Sequence, residues 1–592
     1  MPKQNNNINI PELFSAYFPD KISQQIALSL SQKLEEGNIC IDLENDLLEK
    51  QNLKVSSIKL SPYVTIYPEN HIKPFVLFED RLLYMQRFFS YESIILNKLF
   101  ELSKTGLSRK NEVLTILSEN KILIDNILFK SENSNKWQNV ATLTALLNQF
   151  SFITGGPGTG KTTSIAKFIN SYLTLFPESR IVLTAPTGKA AVRMNESIVK
   201  FNENTSDVNL QSKLQKIKAQ TLHRLLGLHK YNVENTFSKD FKLPYDVVIV
   251  DESSMIDVSL MAKLFNAIDV ETKLIMLGDK NQLSPIGAGS IFGDLCSVAK
   301  LNKFSSQEIE FINSFLENNI LNIEDQFENS EISFLSGKVI ELKQSYRFSE
   351  YEGIGRLSKL ILEGNQENLL EYYKQEKISD PDILFSENIE TDFAEKLFSI
   401  YEEYAKEDDI DMAFTKLNRI RILCSITEGK YSVDYFNRLI ETRLKERKLI
   451  NPEGYMYDKQ AIMITENDYD LNIFNGDIGI VRFDKESGNY FVNFQFPELR
   501  RILSTEIKRF VTAYALSIHK SQGSEFENII VVLNEVEKRN FLTRELIYTA
   551  MTRAKQKVLI ISSYEILKKA IANKITRISG IKYKLNNLKE EK

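Results

Sequence analysis

The chain has 592 residues, 43% hydrophobic and 26% charged, enough for several packed cores and about four domains, and too balanced for a disordered or fibrous polypeptide. A formal net charge of -5 excludes a basic coat that attracts polyanions in bulk, so any nucleic-acid surface has to be a local groove. Three scattered cysteines, Cys40, Cys296 and Cys424, lack metal-ligand spacing and point to a reducing compartment without structural disulfides. No apolar run reaches the ~18 residues of a membrane span, and the polar start Met1-Pro2-Lys3-Gln4-Asn5 is unlike a secretory signal. A soluble cytoplasmic protein is expected.

The first 110 residues read as helices with a few short strands: 22–34 is rich in helix formers, and Phe75-Val76-Leu77-Phe78 reads as extended. Residues 104–136 form a polar helical connector. From Trp137 to about Val298, strands at 150–154, 180–185, 247–250 and 273–277 alternate with helices, which predicts a parallel sheet covered on both faces. A second α/β rhythm begins near Lys338, with strands at 421–425, 528–533 and 557–562. Between its halves lie four short alternating segments, 461–464, 478–483, 490–496 and 501–507, set apart by turns such as Asn475-Gly476-Asp477. They predict a small antiparallel barrel or sheet inserted into the second core. The charged end Leu588-Lys589-Glu590-Glu591-Lys592 is expected to be solvated. The fold class is therefore α/β: an N-terminal domain at 1–110, a first core at 111–336, a second core at 337–455 and 511–592, and the β insertion at 456–510.

Chemistry concentrates at the ends of the predicted strands. Gly155-Gly156-Pro157-Gly158-Thr159-Gly160-Lys161-Thr162-Thr163 follows an apolar strand and precedes a helix marked by Ile165, Phe168, Ile169, Tyr172 and Leu173. This is the phosphate-binding loop of P-loop NTPases, in which glycines let backbone N–H groups turn toward phosphate oxygens at a helix N-terminus. Lys161 would reach the β- and γ-phosphates of ATP, and the Thr162 hydroxyl would hold Mg²⁺. A second strand, Val247-Val248-Ile249-Val250, delivers Asp251 and Glu252, the first suited to Mg²⁺ and the second to polarising the attacking water. After a third, Gly278-Asp279-Lys280-Asn281-Gln282 puts an amide where Gln282 could sense the γ-phosphate or orient water.

The order of motifs narrows the class. Ala185-Pro186-Thr187-Gly188-Lys189-Ala190-Ala191, Thr221-Leu222-His223-Arg224-Leu225, Gly278-Asp279-x-x-Gln282-Leu283, Ser345-Tyr346-Arg347-Phe348, Ser517-Ile518-His519-Lys520-Ser521-Gln522-Gly523-Ser524-Glu525 and Tyr548-Thr549-Ala550-Met551-Thr552-Arg553 closely resemble, in sequence order, motifs of superfamily 1 helicases. Trp137-Gln138-x-x-Ala141, Phe474-Asn475-Gly476-Asp477 and Asp80-Arg81-Leu82-Leu83-Tyr84-Met85-Gln86-Arg87 are similar to segments of the RecD family, the alpha subunit of exodeoxyribonuclease V.

This resemblance implies two RecA-like P-loop cores, an SH3-like insertion, and an ATP-dependent 5′-to-3′ motor on single-stranded and duplex-end DNA. It also implies a complex with RecB- and RecC-type subunits in double-strand break repair and recombination, with 1–110 as the partner-docking domain and the nuclease site in another subunit. Arg347 and Arg553, both placed in the second core, would reach the γ-phosphate when the cleft closes. Gln138 would contact adenine, and Gln522 and Glu525 the nucleotide. Tyr346 would stack on adenine or pack in a core. Thr187, Thr221, His223 and Lys520 would touch DNA, with His223 alternatively a packed histidine, and 229–244 would form the duplex-splitting hairpin. Two other readings stay open: a stand-alone helicase of this superfamily, and a regulatory ATP-binding module that does not unwind.

Overall fold

Apolar, β-branched strand segments set the frame of the computed structural model, which describes residues 9–45, 54–68, 71–129, 136–202, 208–228, 236–316, 321–327, 333–349, 351–376, 382–386, 392–468, 470–495, 499–534 and 542–590. The helical N-terminal region also carries a four-stranded sheet of β1 (Cys40–Asp42), β2 (Val64–Ile66), β3 (Phe75–Phe78) and β4 (Leu82–Met85), in the order β1-β4-β3-β2. The helix Lys21–Glu35, capped by Asp20 accepting from Ser23 N at 2.8 Å, lays Ile26, Ala27 and Leu30 on this sheet.

Helix Gln86–Glu119 then runs 34 residues, about 50 Å. The boundary expected at 110 falls inside it. Its Ile95, Leu99 and Leu102 share a core with Met261 and Phe265 of the first α/β unit. The polar connector expected at 104–136 is also corrected: Leu117, Ile124 and Leu128 are buried in that unit's second core cluster. Sparse apolar positions, spaced by turns of the helix, were hidden by the polar residues between them.

The first α/β sheet contains β5 (Phe150–Gly155), β6 (Ile181–Ala185), β7 (Ala219–Thr221), β8 (Val247–Val250), β9 (Lys273–Gly278) and β10 (Val339–Leu342), all parallel in the order β10-β5-β9-β8-β6-β7. Strands β5, β6, β8 and β9 are buried along their whole length, as a sheet covered on both faces requires. The segment expected to open the second core is instead the edge of the first: Val339 pairs with Phe152 and Leu342 with Gly155. Alternation along the chain cannot report this, because β10 returns beside β5 only after a long connection.

The second unit holds β11 (Ile383–Ser386) and β12 (Ile420–Cys424). The insertion follows, with β13 (Ala461–Ile464), β14 (Ile478–Asp484), β15 (Asn489–Phe494), β16 (Arg500–Leu503) and β17 (Phe510–Thr512). It is an antiparallel sheet ordered β16-β15-β14-β13-β17, and β17 carries it two residues past the expected end at 510. Strands β18 (Ala515–Ser517), β19 (Phe526–Val532) and β20 (Ala554–Ile561) complete the second parallel sheet, ordered β11-β20-β19-β12-β18.

The chain end is not a free tail. Helix Ile581–Glu590 buries Ile581 and Leu585 against the N-terminal region, and Leu588 packs on the same cluster. Among the described residues no helix is long and apolar enough to cross a membrane.

Candidate functional site

The sheet order brings three strand ends together. Strands β5, β9 and β8 lie side by side, so the loop after β5, Gln282 after β9, and Asp251 and Glu252 after β8 converge at one carboxyl edge. Gly158 and Gly160 take φ values of +76° and +86°, where a side chain is strained. A Cβ on Gly160 would overlap the Gln138 amide, and one on Gly158 would lie 2.5 Å from Arg347 Cβ. Gly160 caps helix Lys161–Leu175, whose N-terminus faces the same space. Lys161 Nζ donates to the Gly155 and Gly156 carbonyls at 2.6 and 3.1 Å, which folds its charge over the loop.

Carboxylates stand beside the loop at the same sheet edge. Glu252 N donates to Asp251 Oδ1 at 2.8 Å, and Glu252 itself has a left-handed φ of 50°, a strained turn that keeps two adjacent acids at one edge. Burial first, then the neighbouring Glu252, pushes the Asp251 carboxyl up to about 6, against the pull of Lys161. Buried Asp279 accepts from Gln282 Nε2 at 3.1 Å and from the Tyr548 hydroxyl at 3.0 Å. Burial raises its pKa as well. One carboxylate thus joins the first unit to the second.

Further bonds cross the seam. Leu283 N donates to Thr549 Oγ1 at 3.0 Å, Gln522 Nε2 to Leu283 O at 3.5 Å, and Lys189 Nζ to Ser524 Oγ at 2.7 Å. Arg553 is buried, held by Nε donating to Thr549 O at 3.1 Å. A cavity of about 910 Å³ occupies the seam. Gln138, residues 157–163, Asp251, Glu252 and Gln282 line it from the first unit, Glu525 and Arg553 from the second.

Arg347 needs a correction. It lies five residues past β10 on the connection between units, and that connection is fastened to the phosphate loop: Tyr346 N donates to Gly158 O at 2.9 Å and Ser345 Oγ to Pro157 O at 3.1 Å. Its guanidinium pairs with Glu525 at 2.7 Å, and Nη1 is buried without a hydrogen-bond partner. Arg553 is the arginine that the second unit brings. Tyr346 is half exposed and lines the cavity, so it is not a core residue. Gln522 holds Leu283 and does not line the cavity, while Glu525 does. Burial works to raise the Glu525 carboxyl, but Arg193 and Arg347 together hold it below its usual range.

The four residues expected to touch DNA sit apart from this cavity, at the carboxyl ends of β6, β7 and β18. Thr187 accepts from Ala190 N at 3.3 Å and faces Gly523. Thr221 is buried and caps helix Leu222–Leu225 by accepting from Arg224 N at 3.2 Å. His223 is half-buried, its Nδ1 unpartnered and its pKa lowered by burial. Lys520 is exposed. Of the expected hairpin, 229–235 lie outside the described residues; beyond them Phe237 and Phe241 stack 5.3 Å apart, and no strand forms there.

Sequence reasoning passed over Arg193, Lys189, Tyr548, Thr549 and Asp279 as working parts. All but Arg193 stand inside quoted motifs, and Arg193 lies one helical turn past Lys189, a spacing that puts both on one face.

A family model described as "AAA domain" matches residues 138–288, and one described as "UvrD-like helicase C-terminal domain" matches 512–561. The chain is 31% identical over 95% of its length to RecBCD enzyme subunit RecD of Buchnera aphidicola subsp. Schizaphis graminum, covering 98% of that protein. It is 32% identical over 88% of its length to the RecD subunit of Haemophilus influenzae, covering 82% of that one. Among solved structures, Bacteroides Pif1 bound to ssDNA aligns over 77% of this chain and 96% of its own, at 19% identity and a TM-score of 0.40.

Proposed function

Because the chain belongs to the RecD family of RecBCD enzyme subunits and is an ATP-dependent DNA helicase, we propose that it runs 5′ to 3′ on single-stranded DNA, held by RecB- and RecC-type partners. In this reading it acts in the cytoplasm on duplex ends during double-strand break repair. The observation that carries the motor reading is the seam: one cavity is lined by the phosphate loop, Asp251, Glu252 and Gln282 on one side and by Glu525 and Arg553 on the other.

The contacts support the following roles. On nucleotide binding, Lys161 leaves the Gly155 and Gly156 carbonyls for the β- and γ-phosphates. Gln138 and Tyr346 border the base. Gln282, its amide N–H₂ tied to Asp279, keeps its carbonyl oxygen for the attacking water, and Glu252 takes that water's proton. Arg347, already beside the phosphate loop, exchanges Glu525 for phosphate oxygens, and Arg553 adds charge from the second unit. Since Tyr548 shares Asp279 with Gln282, a change at the γ-phosphate is felt directly by the second unit.

The oxygen donors of Thr162 and Asp251 suit Mg²⁺, and the raised pKa of Asp251 marks a buried acid that a cation would stabilise in its charged form. Bound there, Mg²⁺ would neutralise charge on the β- and γ-phosphates.

Thr187, Thr221, His223 and Lys520 grip the strand. A threonine hydroxyl that accepts a backbone N–H retains its own O–H to donate to a phosphate, which suits contact without sequence preference. The test is unwinding by the chain assembled with its co-purified partners, on duplexes carrying a 5′ or a 3′ tail. The activity that depends on Lys161, read as the difference between wild type and Lys161→Gln assemblies, opens 5′-tailed duplex and not 3′-tailed duplex; the reverse preference overturns the polarity.

A further inference from the structure

The loop that follows Gln282 forms no helix or strand; outside its Arg577 contacts, the Ala288 carbonyl accepts from Val258 N at 3.2 Å and the Ser284 and Ser290 hydroxyls lie 3.5 Å apart. Residues 284–289 are Ser-Pro-Ile-Gly-Ala-Gly, Ile286 is 89% exposed, and Gly289 has a φ of +87°. Its backbone carbonyls nevertheless converge on one side chain: Arg577 Nη1 donates to Gly287 O at 2.7 Å and Gly289 O at 2.9 Å, and Nη2 to Pro285 O at 2.6 Å. A planar guanidinium with several fixed donors can gather three carbonyls at once.

Arg577 lies on a span moored at both ends. Behind it, Ile575 N donates to Glu545 Oε2 at 3.1 Å and Asn573 Nδ2 to Leu542 O at 2.8 Å, which ties the chain to the second unit. Ahead of it, Ile578 N donates to Asn38 Oδ1 at 2.9 Å and Gly580 N to Glu92 Oε1 at 2.9 Å, and buried Lys584 pairs with Glu92 at 2.9 Å. The N-terminal region also reaches the loop directly, Gly289 N donating to Gly37 O at 2.9 Å, while the Gly37 Cα leaves room only for the guanidinium. At its front end the loop is held by Thr549 and Gln522 through Leu283.

We infer that Arg577 is a positioning residue for ATP hydrolysis: it fixes the 284–289 loop and thereby Gln282, and it links the N-terminal region and the second unit to the water-orienting amide. The inference rests on the reading of Gln282 given above. It is tested in the full-length chain by single-stranded-DNA-stimulated ATP hydrolysis of Arg577→Ala, Arg577→Lys, Gln282→Ala and the double variant Arg577→Ala/Gln282→Ala, with thermal unfolding of each. Arg577→Ala lowers kcat about tenfold with KM for ATP within about twofold, Arg577→Lys recovers part of the loss, and the double variant turns over no more slowly than Gln282→Ala alone. Losses that multiply in the double variant overturn the inference and leave the Gln282 reading standing. Wild-type turnover in Gln282→Ala overturns that reading, and the inference with it. Where Arg577→Ala fails to fold, Arg577→Lys, which keeps a cation within reach of the carbonyls, carries the same cycle.

Discussion

The Glu525 carboxylate lies 2.7 Å from the Arg347 guanidinium and 4.0 Å from that of Arg193, so an acid of the second core holds two arginines at the mouth of the phosphate loop. Arg347 is therefore poised beside the nucleotide space, with one nitrogen buried and unpartnered. Arg347→Ala is expected to lower kcat for DNA-stimulated ATP hydrolysis by about 10²–10³-fold, and Arg347→Lys to recover little, because a point charge does not replace a two-pronged donor. Steady-state turnover at saturating DNA decides this; near-normal turnover in Arg347→Ala would leave Arg553 as the sole arginine at the transition state.

Lys161 makes its only two described hydrogen bonds with loop carbonyls. Lys161→Gln is expected to abolish turnover while the nucleotide-free protein melts within a few degrees of wild type. The melting shift that a nonhydrolysable ATP analogue gives the wild type should vanish, since stabilisation by a ligand tracks its occupancy. A preserved shift together with lost turnover would mean that the lysine serves the chemistry and not the binding.

Gly160 combines a left-handed backbone with close contact to Gln138 Nε2, the group that donates to Thr159 O at 3.1 Å. Gly160→Ala is expected to cost about 1–2 kcal/mol from backbone strain and to raise KM for ATP by pushing Gln138 off the loop. Adding Gln138→Ala removes the collision but not the strain, so the double variant should regain part of the stability. Calorimetry of the three variants separates the two contributions.

Burial pushes Asp294 up to about 7, and Glu92 adds to this, while a hydrogen bond from Ser579 and the charge of Arg577 pull the other way. Between the ordinary carboxylate range and about pH 7 the folded chain therefore binds more protons here than the unfolded chain, and this residue's contribution to stability falls as pH rises. Asp294→Asn should be nearly neutral only below the ordinary carboxylate range, stabilising by about 1–2 kcal/mol at pH 5 and by up to about 4 kcal/mol at pH 8. Thermal melts of both proteins across that range check the sign; a pH-independent difference would refute it.

The legible parts of this protein were those written locally. Strand Val247-Val248-Ile249-Val250 was read residue for residue, because four β-branched residues before two acids admit few other uses. The phosphate loop was legible because positive φ at Gly158 and Gly160 demands glycine. β10 lies where the second rhythm was expected to begin yet belongs to the first sheet, since pairing partners 187 residues apart leave no mark on either segment. The same holds for the chain end, whose Leu588 looked solvated among charges and packs against the N-terminal region.

By itself the sequence determined the chemistry: which residue types stand at strand ends, in which order, and hence that a nucleotide and two α/β cores are involved. It could do so because phosphate recognition rests on short, contiguous backbone geometry. Only the tertiary structure decided that Arg347 sits on the connection fastened to the phosphate loop, that Asp279 is shared between Gln282 and Tyr548, and that Arg577 gathers the loop beyond Gln282. Those relationships join residues hundreds of positions apart, and only the packing of one unit on another brings them within hydrogen-bonding distance.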